Sequence, residues 1–340
     1  MLRILIFIST IVLISGCGSD NQDKPDESTS PFQIVDREAQ YLDSYWLPGG
    51  RNYAIYENFL AISHNGGVSL LNINESGLVE SEIQVSGTGA SNIATLENGD
   101  IATLMVNHVR INRIESNMFD VIYTSEESPN VSPVIFESQG NCAYWVDRGG
   151  SDANYQQLKE LCIDSQGQIV EGVRYSSEGW INNIFALDDG SMVVFEELSD
   201  GIKISLFNED FSLVDGFTTA IELFSPDIEF RNGSIFFTGH TAVWQMDVSS
   251  SGFSEPQKFP DSVNSFVLSG GNIIAVHDRG VMIAEENFIY SYKLNGDELT
   301  AIYRVEVGNN IDALVVYNDL LIVSYSDNVD FEIYKISDLI

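Results

Sequence analysis

Few residues in this chain are equipped for chemistry beyond carrying charge. It has three cysteines and four histidines, with 16 basic residues set against 50 acidic ones. Cys142 opens the apolar run Cys142-Ala143-Tyr144-Trp145-Val146, and Cys162 lies in Leu158-Lys159-Glu160-Leu161-Cys162-Ile163. Between them, residues 147–154 are a Gly/Asp/Asn turn region. An antiparallel hairpin centred on Asp152 sets the two cysteines opposite one another, where a disulfide can form. The alternative is a pair of small buried thiols.

The histidines His64, His108, His240 and His277, with Arg148 and Arg279, fall in or beside loops following the second strand of repeated units. Arg51 precedes the first inner strand. This gathers imidazoles and guanidiniums at one end of a ring of strands. Guanidiniums suit carboxylate or phosphate recognition, and histidines suit metals. The competing reading is that polar loop residues must go somewhere. The histidines belong to the first, second, fifth and sixth units, so a single metal site using all four is not expected. No Gly-x-Ser-x-Gly elbow, phosphate-cradling loop, His-Glu-x-x-His pair or dinucleotide fingerprint occurs, so neither a catalytic residue nor a cofactor is assigned. Turns such as Asn295-Gly296-Asp297-Glu298 lack the ligand spacing of a calcium loop.

The elements that would position these residues repeat. A short apolar segment, a turn and a second apolar run recur seven times, anchored at Asn58, Gly99, Gly140, Gly190, Gly233, Gly271 and Asn318. The mean period is about 43 residues, and each unit continues with a third and a fourth strand. Four strands per unit at this period predict an all-β, seven-bladed β-propeller of four-stranded antiparallel blades over 32–340. The seventh unit has only three strands before Ile340. The spare segments Phe32–Val35 and Gln40–Leu47 can supply the fourth, closing the last blade with an N-terminal strand and removing two exposed edges. An eight-bladed ring or open solenoid needs material the chain lacks. Trp145, Trp180 and Trp244 read as wedges between blades rather than sugar platforms.

The pairing of Tyr317-Asn318-Asp319-Leu320-Leu321-Ile322-Val323-Ser324 with Phe331-Glu332-Ile333-Tyr334-Lys335-Ile336-Ser337-Asp338 resembles YVTN-type and LVIVD-type propeller repeats of bacterial secreted proteins. The resemblance implies a fold and no activity.

The chain opens with Met1-Leu2-Arg3, an apolar run from Ile4 to Ile14, and then Ser15-Gly16-Cys17. The run is too short to span a bilayer and reads as a signal peptide over 1–16. Ile14-Ser15-Gly16-Cys17 resembles the lipobox of bacterial lipoproteins. That likeness implies cleavage before Cys17 and acylation there, with palmitate-type chains as a stable membrane anchor. Gly18 after it implies, by the same resemblance, the outer membrane, with the protein periplasmic or surface-exposed. Residues 17–31 contain no aliphatic or aromatic residue after the cysteine and form a disordered acidic tether.

A net charge of −34 excludes a nucleic-acid binder. Such acidity keeps a surface hydrated and the chain monomeric; attraction of divalent cations or a basic partner is the sharper alternative. Together these features describe a lipid-anchored cell-envelope propeller that binds or scaffolds, presenting a loop face to a protein or polymer partner. The second reading is a hydrolase or lyase acting on an anionic glycan at the His/Arg face.

Overall fold

The computed structural model describes residues 35–37, 41–46 and most of 52–339, apart from 220–227, 260–272 and short loop stretches. The expected leader over 1–16, Cys17 and the expected tether over 17–31 lie outside the described residues, as do Arg51, His240 and Arg279. Two N-terminal strands, β1 (Val35–Arg37) and β2 (Tyr41–Trp46), precede the blades. Blade one is β3 (Asn52–Tyr56), β4 (Phe59–His64), β5 (Gly67–Ile73) and β6 (Val79–Ser86). Blade two is β7 (Asn92–Thr95), β8 (Ile101–Leu104), β9 (Val109–Glu115) and β10 (Met118–Thr124). Blade three is β11 (Val131–Gln139), β12 (Cys142–Asp147), β13 (Gln156–Ile163) and β14 (Ile169–Ser177). Blade four is β15 (Trp180–Ala186), β16 (Met192–Leu198), β17 (Gly201–Phe207) and β18 (Leu213–Thr219).

Blade five is β19 (Ile228–Arg231), β20 (Ser234–Gly239) and β21 (Ala242–Ser249), with an interrupted outer strand, β22 (Gly252–Phe253) and β23 (Gln257–Lys258). Blade six is β24 (Ile273–His277), β25 (Gly280–Glu285), β26 (Phe288–Asn295) and β27 (Glu298–Glu306). Blade seven is β28 (Ile311–Tyr317), β29 (Leu320–Tyr325) and β30 (Asp330–Lys335), followed by the short helix α1 (Ile336–Leu339). The first strands of successive blades are neighbours, from β3 through β28. This is the seven-bladed propeller that the repeat predicts.

Turn chemistry explains why the units repeat. Of the anchor residues, Gly99, Gly140, Gly190, Gly233 and Asn318 all take positive φ, between 55° and 92°. Glycine enters that region without a Cβ penalty, and asparagine at low cost. Asn58 and Gly271 lie outside the described residues.

Blades adhere through apolar faces. Trp145 is fully enclosed with Leu104 and Ile111 of blade two, and Phe195 meets Phe237 edge-on at 6.1 Å between blades four and five. The last interface joins the two ends of the ring: Leu60, Ile62 and Leu71 of blade one pack with Leu320, Ile322 and Ile333 of blade seven. Polar pairing also crosses between blades. Glu196 on β16 is buried and accepts bonds from Ser177 (2.5 Å) and Tyr175 (2.6 Å) of β14 and from Lys203 (3.0 Å) of β17. Burial opposes its charge, but these donors outweigh burial and hold its pKa below the usual carboxylate value.

The chain closes its own ring. β2 pairs antiparallel with β30, from Tyr41 opposite Tyr334 to Trp46 opposite Asp330, and becomes the fourth strand of blade seven. β1 adds something the repeat does not foreshadow: it pairs parallel with β27, Val35 opposite Tyr303, as a fifth strand on blade six. The 142/162 hairpin takes the simplest register, with Cys142 opposite Cys162, and a disulfide joins them.

Three outcomes test this architecture. Deleting residues 32–47 should lower the melting temperature by roughly 10 °C or more and promote aggregation, because blade seven then exposes the edge of β30; an unchanged melt refutes the closure. The Cys142→Ala/Cys162→Ala chain should lose about 3 kcal/mol in denaturant titration, since the bridge closes a 20-residue separation, and thiol titration of the unfolded parent should find neither cysteine free. On β11, burial pushes the Glu137 carboxyl up from 4.5 to about 8, against the Ser138 N–H that favours its charge. The folded state therefore keeps a proton that the unfolded chain releases, and this stabilisation is lost as pH rises from 4.5 towards 8. Glu137→Gln should change the melt little near pH 5 and raise it by pH 9.

Candidate functional site

Antiparallel blades send their turns alternately to the two ends of the ring. Turns between first and second strands, and between third and fourth, open on one face; the remaining loops open on the other.

His64 ends β4, while His108 and Arg148 follow β8 and β12, all at the second-to-third-strand face. His240 belongs by position to the same class, between β20 and β21, and Arg51 precedes β3; both lie outside the described residues. His277 departs from expectation: it ends β24, a first strand, so it stands at the opposite face, while Arg279 lies outside the described residues. The sixth unit contains two apolar runs with Gly/Asp turn signals on both sides. Sequence spacing selects Gly270-Gly271 as the first turn, whereas the structure makes Ile273–His277 the innermost strand, paired with β25. Among the described residues, His277 therefore stands at the other face from His64, His108 and Arg148.

His108 and Arg148 are engaged locally. The His108 Nδ1 lies 2.8 Å from Asn107 Oδ1, and burial, then Arg110, lower its pKa against a smaller pull from Glu127. The Arg148 guanidinium sits over the Trp180 ring at 5.5 Å, and Trp180 is 57% exposed. Trp180 is thus not a wedge between blades. Trp145 is one, and Trp244 packs beside the core of blades four and five.

The first-turn face carries a cleft of about 730 Å³ across blades two, three and four. Its base is stitched together from turn to turn. The Glu97 N–H donates to Gly140 O (2.8 Å), the Asn98 N–H to Asn141 Oδ1 (2.8 Å), and Gln139 Nε2 to Ser191 O (2.8 Å). Three blades thereby present one fixed surface rather than three separate loops.

Tyr144 and Cys142, both on β12, line the cleft, and beside them Arg174 pairs with Glu160. Tyr144 is 4% exposed, and its hydroxyl has no hydrogen-bond partner among the described residues. Burial, then Glu160, push the phenol up to about 12, with Arg174 opposing, so it stays protonated at neutral pH. Glu97, Asp189 and Glu209 line the same cleft and are exposed, and the paired Arg174 does not offset them.

Below Tyr144, Phe211 is held at φ +58°. The turns at Asn74 and Asp164 have the same hydrogen-bond pattern as the Asn208 turn, and there glycine, Gly77 or Gly167, takes the positive-φ position. Phe211 occupies that position in blade four. Its ring stacks on Phe207 at 5.6 Å, lies 6.0 Å from Tyr144, and has the Arg174 guanidinium over it at 5.6 Å. The sequence signal for this residue is the break in pattern from Asn74-Glu75-Ser76-Gly77 to Asn208-Glu209-Asp210-Phe211.

Among the described residues, one trio has metal-ligating atoms clustered: Cys142, Glu160 and Cys162. The disulfide ties up both sulfurs and the Arg174 pair occupies Glu160, so as it stands the trio offers a metal no free set of ligands.

Neither a family model nor a curated protein matches the chain. Solved structures do, across its length. The chain is similar to the Cps50 (Swd1) β-propeller domain of Myceliophteria thermophila, with TM-score 0.65 and 10% identity over 87% of this chain and 99% of that one. It is also similar to BamB of Moraxella catarrhalis, with TM-score 0.56 and 9% identity over 87% and 99%. A third similar structure is virginiamycin B lyase of Staphylococcus aureus, with TM-score 0.58 and 12% identity over 86% and 98%. At such identities the likeness establishes the propeller fold and nothing finer.

Proposed function

We propose that this chain is a lipid-anchored binding or scaffolding module of the bacterial cell envelope, presenting the first-turn face of its propeller to a protein or envelope-polymer partner. Residues 1–16 are the leader, acylated Cys17 the anchor to the outer membrane, and 17–31 the tether. No helix among the described residues is long and apolar enough to cross a membrane, and the proposal assigns attachment to the acyl chains.

The cleft across blades two to four carries this reading. Its fixed base, buried phenol and exposed carboxylates are groups for recognition. They do not form a nucleophile, base and orienting group in hydrogen-bond series, as covalent catalysis requires. The hydrolase or lyase reading is weaker at this place, because the Glu97, Asp189 and Glu209 carboxylates repel an anionic glycan.

Cys17→Ser should move the protein from the membrane to the soluble fraction of a cell lysate, and unchanged membrane partition sinks the anchor. A photo-cross-linking residue replacing Asp189, on the cleft, should capture a discrete envelope partner in intact cells. The same residue replacing Glu126, at the opposite face, should capture none; equal capture from both faces sinks the assignment of the face.

A further inference from the structure

The cleft is acidic, but acidity alone does not make a site. The Tyr144 hydroxyl is the independent sign of a ligand. It belongs to a side chain 96% withdrawn from solvent (4% exposed), lines the cleft, and lacks a partner among the described residues. Buried polar groups ordinarily have partners, and one left open towards a cavity is a place where a ligand can supply the missing bond. Around it the structure is costly to build. Phe211 holds a conformation that glycine takes in sister turns, and its ring supports both Tyr144 and Arg174. Strain of this kind persists where the surroundings demand it.

Charge selects the ligand. Arg174 is neutralised by Glu160, which leaves the carboxylates of Glu97, Asp189 and Glu209 as the unbalanced charge of the cleft. A guanidinium offers five N–H donors in one plane, enough to bond a phenol oxygen and carboxylates together. The volume, about 730 Å³, exceeds one side chain and suits a head group with flanking backbone.

Resting on the binding-module reading, we propose that this cleft receives a basic, extended segment of a partner protein, seating one arginine head group on the Tyr144 hydroxyl among the carboxylates of Glu97, Asp189 and Glu209. Diffuse attraction by a chain of charge −34 is the competing cause of any binding, and matched charge removal separates the two.

The probe is a fluorescent hexapeptide, Gly-Ser-Arg-Arg-Ser-Gly, titrated by anisotropy against the purified, disulfide-bonded propeller at 150 mM salt. Its counterpart has citrulline, the neutral isostere, in place of both arginines. The citrulline peptide should bind at least about tenfold more weakly. Glu97→Gln with Glu209→Gln should weaken the arginine peptide by about tenfold, whereas Glu126→Gln with Glu127→Gln, the same charge change at the other face, should alter it less than about twofold. Tyr144→Phe keeps the ring against Phe211 and should melt like the parent, yet weaken the peptide by about threefold or more.

Equal losses from the two charge pairs overturn the proposal in favour of the diffuse field. An undiminished Tyr144→Phe overturns the seat on the phenol. Calcium binding that depends on Glu97 and Glu209, with no peptide binding, overturns it in favour of a cation site. If the peptide fails while the Asp189 cross-link in cells persists, the partner's chemistry is wrong and the binding-module reading stands.

Discussion

Everything in this ring depends on each sheet covering both of its faces with the sheets beside it. A four-stranded blade alone leaves two apolar faces and two backbone edges in water. Fully burying one leucine or isoleucine contributes about 2 kcal/mol, against about 1 kcal/mol net for a hydrogen bond, so packing between blades outweighs any single turn or polar bridge. The interface of Leu60, Ile62 and Leu71 with Leu320, Ile322 and Ile333 is therefore the decisive one. It is assembled from the two ends of the sequence, and only when it forms do blades one and seven have their second covered face. β2 reinforces the same junction through the backbone, since it pairs with β30 and leads into blade one.

Local chemistry made much of this legible. A turn that needs positive φ selects glycine or asparagine, so five anchors could be read from residue type before any packing was known: Gly99, Gly140, Gly190, Gly233 and Asn318. The cysteine hairpin was legible because residues 147–154 admit one simple turn centre, and the register follows from it. Packing decided what composition left open. In the sixth unit two apolar runs compete for the innermost place, and His277 changes face with the outcome. Trp180 is as apolar as Trp145, but it begins a strand at the rim of the ring, where Arg148 rather than a neighbouring sheet covers it. The parallel addition of β1 to β27 has no sequence signature, because an edge accepts backbone irrespective of side chain.

The candidate site was legible only in fragments. Its residues come from three blades and share no stretch of sequence: Glu97 from one turn, Tyr144 from a second strand, Asp189 and Glu209 from two turns of a later blade. Histidine and arginine stand out in an acidic chain because they are scarce, and carboxylates do not. Fifty acids hide three that share a cleft. Glu97 and Asp189 sit on turns joined by hydrogen bonds between neighbouring blades, which no single-residue signal reports.

Phe211 shows how the fold and the site are connected. The third-to-fourth-strand turn needs a residue at positive φ, and blades one and three meet the need with Gly77 and Gly167. A side chain there costs about 1–2 kcal/mol, so blade four carries a penalty that glycine would remove. The return is a ring with three contacts, to Phe207, Tyr144 and Arg174, in a turn that borders the cleft through Glu209. Stacking on Phe207 alone, about 0.5–1.5 kcal/mol, is enough to roughly offset the backbone cost. The contacts to Tyr144 and Arg174 then fix the phenol and guanidinium beside the disulfide with little net loss of stability. A turn position that elsewhere serves only to reverse the chain serves here to hold the wall of the cleft.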